Sequence, residues 1–411
     1  MKKFSKRLTA LLCAVWMCIT LLPVEAAAVE EPFYCEHTYV NPLYPQLSED
    51  DIFFYPSSNF APFSSDESVQ DAEPIQCSTE LEVAAYVREQ LKARNTEFTV
   101  EYTGAPQDIN SNDALNQYLA TFVNDINPLV FQHDRSDPTA GDYIRYQFGG
   151  ISYSASYNRV VLTLTFYCAY YDTADQQETL NQAVANIIET LHLDGMTDYG
   201  KAKAIYNWLC TNVRYDYTNL EDDGYLLKYT AYAAIVNKTA VCQGYANAFY
   251  RLALTAGLDA RILSGTGITN TGSGNHAWNI VRLGSSWYYL DATWDEGESS
   301  TPSSWRYFLK NTSFENSHLL NTDGTEIVKP DGISIIAAND YTNGCGDLNG
   351  GGIAIQDVQL LYDYLVTGTT PTGGSILADG DFQLAADINN DTYIDVYDLQ
   401  MLYEIVRGLR T

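Results

Sequence analysis

The chain has 411 residues, 46% of them hydrophobic and 18% charged, so it is long enough for two to four domains and apolar enough for most of it to fold. Lys and Arg together number 23 against 52 Asp and Glu, which gives a formal net charge of -29. Because so acidic a chain repels phosphate backbones and anionic lipid, the composition excludes nucleic-acid binding and peripheral membrane binding.

Residues 1–28 have the pattern of a secretory signal peptide. Basic residues within 2–7 precede an apolar stretch over 8–22, and the alanines of 26–28 supply a cleavage site of small residues. The apolar stretch is too short for a comfortable membrane span, so an uncleaved anchor is the weaker alternative. We therefore expect an exported protein with no membrane contact after cleavage.

Six cysteines remain beyond this segment, and they are scattered rather than clustered. They are Cys35, Cys77, Cys168, Cys210, Cys242 and Cys345. Without a CxxC pair or a dense framework, they argue against a zinc ribbon and against a disulfide-stapled mini-fold. A disulfide between Cys35 and Cys77 is left open. Cys168 and Cys210 lie in strand and helix patterns and are expected to be small buried side chains.

Residues 29–78 are rich in Pro, Ser, Phe and acids without a sustained period, and they are interpreted as a linker or loosely ordered arm. Residues 79–195 then predict an α+β appendage domain. Its predicted elements are helices over 80–93 and 113–124, strands over 97–103 and 160–168, and a helix that begins at a Thr173–Gln176 capping box and reaches Leu191. No catalytic group of residues stands out in this domain.

Residues 196–340 predict a second α+β unit. A helix is expected over 202–213 and another from Cys242 to Gly257, since glycine commonly follows a helix end. Two strands, 276–283 and 287–293, are separated by Gly284-Ser285-Ser286 and should form an antiparallel hairpin. A short strand is predicted over 332–338.

Three residues of this unit have the pattern of a thiol nucleophile with its base. Cys242 stands at a predicted helix start, where free N–H groups and the helix dipole favour a thiolate. His276 opens the first hairpin strand, and Asp291 on the second strand should lie diagonal to it, within reach of a hydrogen bond. The pattern indicates Cys242 as nucleophile, His276 as base and Asp291 as the group that orients it.

The bland alternative is that Cys242 is only a small buried residue. The surroundings of the histidines weigh against this alternative. Only five histidines occur in the chain, and only His276 is framed by glycine, tryptophan and asparagine at a strand start, whereas His318 stands isolated in the sequence.

Residues 196–318 resemble the transglutaminase-like (papain-like thiol) superfamily of bacterial secreted proteins. The matching motifs are 201–208 (KAKAIYNW), 213–216 (VRYD), 231–232 (AY), 241–246 (VCQGYA), 276–279 (HAWN) and 287–295 (WYYLDATWD). The resemblance implies a papain-like core with Cys242, His276 and Asp291 as its catalytic residues and no cofactor for catalysis.

The resemblance also implies acyl transfer on a protein or peptide substrate. The backbone N–H of Cys242 is the first expected oxyanion donor, and Gln243, Trp208 and Tyr232 are open candidates for the second. Water or an amine then accepts the acyl group, and hydrolysis is favoured. Two rivals stay open, namely a protein-crosslinking transglutaminase and a catalytically inactive binding module of the same fold.

The last part of the chain contains a duplication, since 357–364 (DVQLLYDY) matches 398–405 (DLQMLYEI). The loop before the second copy has the oxygen-ligand spacing of an EF-hand-type calcium loop. Its expected ligands are Asp387, Asn389, Asp391, the carbonyl of Tyr393, Asp395 through water, and Asp398. The first loop is one residue shorter and offers Asp347, Asn349 and Asp357.

Residues 341–411 thereby resemble a type I dockerin, an all-α calcium-binding module. The resemblance implies Ca²⁺ in the loops and binding to a cohesin module of a scaffold protein. It also implies a place in an extracellular or cell-surface, cellulosome-like complex for polysaccharide degradation. Gly351 and Thr392 depart from the usual loop residues. The recognition positions, Ile355-Gln356 and Val396-Tyr397, are unlike each other, which argues against two equivalent binding modes.

Overall fold

The computed structural model describes most of the chain between residues 32 and 409. The described residues are 32–40, 74–284, 286–297, 305–320, 336–337, 346–349, 353–373, 376–377, 379–389, 391 and 393–409. The expected signal peptide lies outside these residues. Within them, no helix combines the length and the apolar character needed to cross a membrane.

The first part of the described chain is built on a five-stranded sheet with the order β1-β4-β5-β3-β2. Its strands are β1 (Phe33–Val40), β2 (Ile75–Cys77), β3 (Glu97–Tyr102), β4 (Phe148–Tyr157) and β5 (Leu162–Tyr170). Neighbouring strands are antiparallel except for the parallel pair β2–β3. Helices α1 (Glu80–Lys92) and α2 (Asn112–Val130) bury their apolar side chains in the same core as the strands.

Two of these strands fall within 29–78, the segment interpreted as a linker or arm. Strand β1 pairs along its whole length with β4, and β2 pairs with β3. Both lie at the edges of the sheet, so each has only one pairing partner. The sequence pattern missed them because an edge strand with a polar face lacks a strong hydrophobic period. The intervening residues 41–73 lie outside the described part of the chain.

Two helix starts are stabilised by capping boxes, of which the sequence predicted the second. Thr79 caps α1 in a capping box with Glu82, and Thr173 caps the following helix in the predicted capping box with Gln176. Helix α2 continues past Pro128 to Val130, although proline commonly ends a helix. The buried side chains of Ile126 and Val130 keep this last turn packed on the core.

The second part combines helices with a four-stranded antiparallel sheet, ordered β10-β9-β8-β11. Its strands are β8 (Asp259–Thr269), β9 (Gly272–Leu283), β10 (Ser286–Leu290) and β11 (His318–Leu320), and a separate parallel pair is formed by β6 (Arg214–Tyr215) and β7 (Thr239–Ala240). Its helices are α4 (Ala174–Leu191), α5 (Asp198–Asn212) and α6 (Cys242–Thr255). The predicted β9–β10 hairpin is confirmed, with Leu290 opposite Asn279.

The segment between α2 and β4, including the short helix α3 (Asp142–Arg145), is bound to the second part. The buried Asp142 carboxylate accepts hydrogen bonds from Arg261 Nε at 2.7 Å and Nη2 at 2.8 Å, and from the Ile262 N–H at 2.9 Å. Tyr143 and Tyr146 are buried in the core around α6. The predicted division at 195 stays a prediction, but buried contacts of residues before it reach the second core.

The C-terminal part of the described chain is helical. It contains α7 (Ile355–Thr367), α8 (Asp379–Ala386) and α9 (Val396–Val406) around a small apolar core. The equivalent leucines of the sequence duplication, Leu361 and Leu402, are both fully buried in this core. The two copies therefore present the same helix face to the interior.

Two predictions on the cysteines have an outcome in the fold. Cys35 on β1 and Cys77 on β2 stand at opposite edges of a five-stranded sheet, which separates them by roughly four strand spacings of about 4.8 Å. Because a disulfide needs Cα atoms within about 7 Å, this pairing is excluded. Cys168 and Cys210 are buried, as predicted.

Candidate active site

Cys242 is the first residue of α6, and the extended residue Val241 precedes it. The chain reaches this position from β7 through a close approach at Gly244. A Cβ atom on Gly244 would lie 2.6 Å from the Ala240 Cβ and 2.9 Å from the Lys228 carbonyl oxygen. The glycine of the VCQGYA motif therefore lets the helix start sit against the strand that leads into it. Cys242 is partly accessible, whereas the other described cysteines are buried.

A buried lysine fixes the loop beside this helix start. Lys228 is fully buried, and its Nζ donates to the carbonyl oxygens of Asn219 at 2.7 Å, Leu220 at 2.9 Å and Asp222 at 2.8 Å. Its own carbonyl oxygen accepts from the Val241 N–H at 3.1 Å. Lys228 thus joins the 219–222 loop to the residue that precedes Cys242.

His276 lies on β9 and bonds to Asp291 just beyond the end of β10. The His276 Nε2–H donates to Asp291 Oδ2 at 2.7 Å, and both side chains are buried. The Trp294 ring stacks on His276 with centroids 4.9 Å apart. A Cβ atom on Gly267 of the neighbouring strand would lie 3.0 Å from the His276 Cβ. The predicted diagonal placement of His276 and Asp291 across the hairpin is therefore what the register produces.

The Asp291 carboxylate is held by several donors. Oδ1 of the carboxylate accepts from the Thr293 N–H at 2.9 Å, and Oδ2 faces the two histidines His276 and His318. The Tyr206 hydroxyl oxygen lies 2.7 Å from the Asp291 backbone carbonyl oxygen and 2.7 Å from Asp295 Oδ2, so its one proton is shared between these two acceptors. Burial would raise the pKa of Asp291, but the charge and hydrogen bond of His276, followed by those of His318, hold it below its usual range. Asp291 is therefore an anion at neutral pH.

The electrostatics favour a charged His276. Burial alone would lower the pKa of His276, but the Asp291 charge and hydrogen bond, together with a hydrogen bond to Cys242, raise it to about 10. Because Nε2 faces Asp291, the other ring nitrogen, Nδ1, faces Cys242. His276 thus bonds to Asp291 on one side, while a hydrogen bond to the Cys242 thiol contributes to its raised pKa. Such an arrangement can supply a nucleophile, a proton donor and an orienting anion.

His318 is part of this site, although it stands isolated in the sequence and no role was predicted for it. It lies on β11 and is fully buried, with its Nε2 3.2 Å from Asp291 Oδ2. Strand β11 pairs with β8, and this pairing carries His318 to the carboxylate. The only sequence signal was the apolar run His318-Leu319-Leu320, which is too short to predict a strand.

One open candidate for the second oxyanion donor is bound elsewhere. The Gln243 side-chain amide donates to the Tyr146 carbonyl oxygen at 2.7 Å. This contact joins the start of α6 to the segment between α2 and β4. The Gln243 amide therefore makes a structural hydrogen bond in place of one to a substrate oxygen.

The predicted second calcium loop brings three carboxylates together. Ligand oxygens of Asp387, Asp391 and Asp398 all lie within 4.8 Å of one another. Asp398 is fully buried, and its pKa is raised by burial and by the Asp391 charge. Clustered acids of this kind fit a hard divalent cation, which prefers oxygen ligands. Asn389 is bonded within the same loop, since its Nδ2 donates to Asp391 Oδ2 at 2.9 Å and its Oδ1 accepts from the Asp391 N–H at 2.8 Å.

The remaining predicted ligands are placed as follows. Asp395 accepts from the Tyr397 N–H at 2.7 Å and caps α9. In the first loop, Asp357 Oδ1 accepts from the Leu348 N–H at 2.8 Å and from Asn349 Nδ2 at 2.9 Å. Tyr393 and Asp347 are also described, but 350–352, with Gly351, lie outside the described residues, as does Thr392.

Comparisons with known proteins find similarities for the central part of the chain. Residues 185–292, which include Cys242, His276 and Asp291, match the sequence profile of the transglutaminase-like superfamily. Kyphoscoliosis peptidase of Mus musculus is 28% identical over 156 residues, or 36% of this chain and 23% of the relative, and kyphoscoliosis peptidase of Homo sapiens is 28% identical over 158 residues with the same coverage. The chain thus spans about a quarter of the length of these curated relatives.

A solved structure described as a crystal structure of a TGase is also similar. It is 13% identical, with a TM-score of 0.26, and the match covers 54% of this chain and 60% of that one. The mixed helix and strand architecture predicted from the sequence is confirmed in the described residues, and the match to the transglutaminase-like superfamily falls on residues 185–292 of it.

Proposed function

We propose that the chain is an exported, cysteine-dependent acyl-transfer enzyme that hydrolyses amide bonds of a protein or peptide. The observation that carries this proposal is the 2.7 Å hydrogen bond between His276 Nε2 and Asp291. This bond leaves the other ring nitrogen of His276 for Cys242 at the start of α6. The raised pKa of His276, about 10, supports an imidazolium next to Cys242, and a neighbouring cation of this kind favours the thiolate form of a cysteine.

The proposed reaction begins when Cys242 Sγ attacks the carbonyl carbon of the scissile amide. The negative oxygen that forms lies against the N–H of Cys242, which as the first residue of the helix has no intrahelical acceptor. His276 gives the Nδ1 proton to the leaving amine as the carbon–nitrogen bond breaks, and a thioester remains on Cys242. Water then attacks the thioester, His276 takes its proton, and the thiol leaves as thiolate. Asp291 keeps the imidazole in one tautomer throughout.

Two other outcomes use the same fold. If an amine attacked the thioester in place of water, the chain would be a crosslinking transglutaminase. If the Cys242 thiol were unreactive, the chain would be a binding module. The similarity to proteins described as peptidases supports hydrolysis.

The proposed chemistry can be tested with a mixed peptide library, with and without a biotinylated primary amine. Wild type should produce new peptide termini without incorporating the amine. Cys242→Ala should produce none, whereas Cys210→Ala, which removes a buried thiol whose pKa is raised by burial, should keep its activity. Amine incorporation by wild type would establish the transglutaminase alternative, and cleavage by Cys242→Ala would refute the nucleophile.

We further propose that the C-terminal part is a calcium-dependent dockerin. The clustered oxygens of Asp387, Asp391 and Asp398 support this proposal, as do the duplicated helices α7 and α9. Asn389, the Tyr393 carbonyl and Asp395 would complete the second site, and Asp347, Asn349 and Asp357 would form the first. Calcium would neutralise the repulsion among the acids and stabilise the helices that follow them.

The proposed partner is a cohesin module of a scaffold protein in a cellulosome-like complex outside the cell. An apolar groove between α7 and α9 supports it. The groove is lined by Ile355, Val358, Gln359, Tyr362, Val396, Leu399, Gln400 and Tyr403. Several of these side chains are largely exposed, including Ile355 at 54% and Val396 at 63%. Full-length protein should bind immobilised type I cohesin in Ca²⁺ and release it in chelator, and the Val396→Asp variant should bind more weakly. No binding to any cohesin tested in Ca²⁺ would count against the assignment.

A further inference from the structure

Two histidines share one oxygen of the Asp291 carboxylate. His276 Nε2 lies 2.7 Å and His318 Nε2 lies 3.2 Å from Asp291 Oδ2. A carboxylate anion can only accept hydrogen bonds, so both histidines must carry a proton on Nε2. The His318 contact joins residues 27 positions apart in the chain: His318 lies on the edge strand β11, and Asp291 directly follows β10, the strand at the other edge of the sheet.

The imidazole of His318 is held on every side. Its Nδ1 lies 2.9 Å from the Ser317 hydroxyl oxygen, and the Phe314 ring stacks on it with centroids 3.7 Å apart. The Trp294 ring, which also stacks on His276, has its centroid 4.3 Å away. A side chain so completely enclosed keeps one orientation, and its Nε2–H is therefore aimed at Asp291.

The charges indicate which form His318 takes. Burial lowers the pKa of His318, Asp291 acts in the opposite sense, and the neighbouring His276 charge lowers it further. A single buried carboxylate therefore faces one imidazolium, on His276, and one neutral imidazole, on His318. In the neutral form with Nε2–H, the Nδ1 of His318 is left as an acceptor, and the donor within reach is the Ser317 hydroxyl, whose oxygen also lies 3.2 Å from the Phe314 carbonyl oxygen.

We infer that His318 is a positioning residue for the reaction proposed above: as a neutral imidazole it donates Nε2–H to Asp291 and holds the carboxylate where it binds His276. The inference rests on the proposed function of the Cys242 site. Without this donor, the buried carboxylate is less well stabilised and is free to turn from His276. The attraction between the His276 imidazolium and Asp291 is then weaker, and we expect the thiolate that this imidazolium supports to form only at higher pH.

The test measures the alkylation of Cys242 by iodoacetamide in the full chain, from about pH 4 to about pH 10, with the modified peptide quantified by mass spectrometry. His318→Phe keeps an aromatic ring in the enclosure and removes the donor. His318→Gln places an amide N–H near the position of Nε2. His133→Phe is the matched control, because His133 also bonds an aspartate, Asp259 at 2.9 Å, but lies outside the site.

We expect the acid limb of the alkylation profile to move to higher pH by about half a pH unit or more in His318→Phe, since a hydrogen bond to a charged group is lost. It should return toward wild type in His318→Gln and stay unchanged in His133→Phe. A merely structural role would lower the melting temperature without moving this limb. An unchanged limb in folded His318→Phe would overturn the inference while leaving the proposed function intact. A wild-type Cys242 no more reactive than a cysteine of the denatured chain would overturn both.

Nitrogen-15 NMR of the histidine side chains in the wild type keeps the inference testable even where a variant fails to fold. At neutral pH we expect His318 as the neutral Nε2–H tautomer and His276 as the imidazolium. A protonated His318, or its Nδ1–H tautomer, would overturn the inference.

Discussion

Asp291→Asn is the substitution that most sharply probes the electrostatics of the site. The carboxylate accepts at both oxygens, with two histidines on Oδ2 and the Thr293 N–H on Oδ1. An amide of the same size has one acceptor and one NH₂ donor. Whichever way the amide turns, its NH₂ group faces an N–H. The substitution therefore removes the charge and also leaves at least one donor unsatisfied, namely the Thr293 N–H in one orientation of the amide and both histidines in the other.

The expected magnitude follows from the pKa of His276. This pKa is raised from an ordinary value of 6.5 to about 10, mainly by Asp291, against burial, which lowers it. A rise of that size corresponds to a factor on the order of 10³ in the protonation equilibrium. Without the Asp291 charge, the largest cause that raises this pKa is gone, only the contribution of Cys242 still opposes burial, and we expect His276 to be neutral at pH 7. We therefore expect kcat/KM to fall by a factor on the order of 10³.

The assay is hydrolysis of an activated ester by folded wild type and variant across the pH range. Asp295→Asn is the matched control, because Asp295 is equally buried and accepts from the Tyr206 hydroxyl at 2.7 Å and from the Arg306 N–H at 2.9 Å without a hydrogen bond to either histidine. It should lose stability but keep kcat/KM within about tenfold. If folded Asp291→Asn kept kcat/KM within about threefold of wild type, the charge of Asp291 would not be what activates His276.

Three further perturbations test the fold, the metal loops and the pH dependence. Gly265→Ala would place a Cβ atom 2.0 Å from a carbonyl oxygen of β11, so it should lower both the melting temperature of the protein and the alkylation rate of Cys242. Gly274→Ala on β9 is the control, because its Cβ would have no atom within 4 Å, and it should leave both quantities unchanged. Equal effects of the two variants would contradict the packing of β11 on β8. Calorimetry of the full chain with Ca²⁺ should show two unequal sites, with Asp391→Ala removing the tighter one and Asp347→Ala the weaker; two equivalent sites would refute the asymmetry. The pKa of His276 is raised to about 10 in the folded state, so its positive charge stabilises the fold fully at pH values below the ordinary pKa near 6.5. This contribution is lost as the pH rises through about 10. The unfolding free energy from urea titrations should therefore fall between these two pH values. His276→Gln should lack this part of the slope, and an unchanged slope would contradict the raised pKa.

The parts of the site that the sequence predicted depend on local signals. Asp291 follows β10 in a hairpin whose register is fixed by a short turn, so its position diagonal to His276 follows from counting residues. The start of α6 at Cys242 follows from a change of period. The capping box at Thr173 is likewise contained in four consecutive residues. In each case the structure is decided by neighbours in the chain.

The parts that the sequence missed depend on contacts between distant segments. His318 reaches Asp291 only because β11, three residues long, pairs with β8. Lys228 looks like a surface residue by composition, yet it is fully buried because three carbonyl oxygens surround its ammonium group. Hydrophobic periodicity carries no information on polar groups that can be buried because they form hydrogen bonds with one another.

The most direct test of a cysteine-dependent acyl transfer is to trap the thioester. The full chain is mixed with an activated ester, quenched in acid within one turnover, and its intact mass and peptide masses are measured. We expect one acyl group per chain, located on Cys242, in wild type and in Cys210→Ala, and no acyl group in Cys242→Ala. An acyl group on another residue, or full turnover by Cys242→Ala, would contradict this expectation.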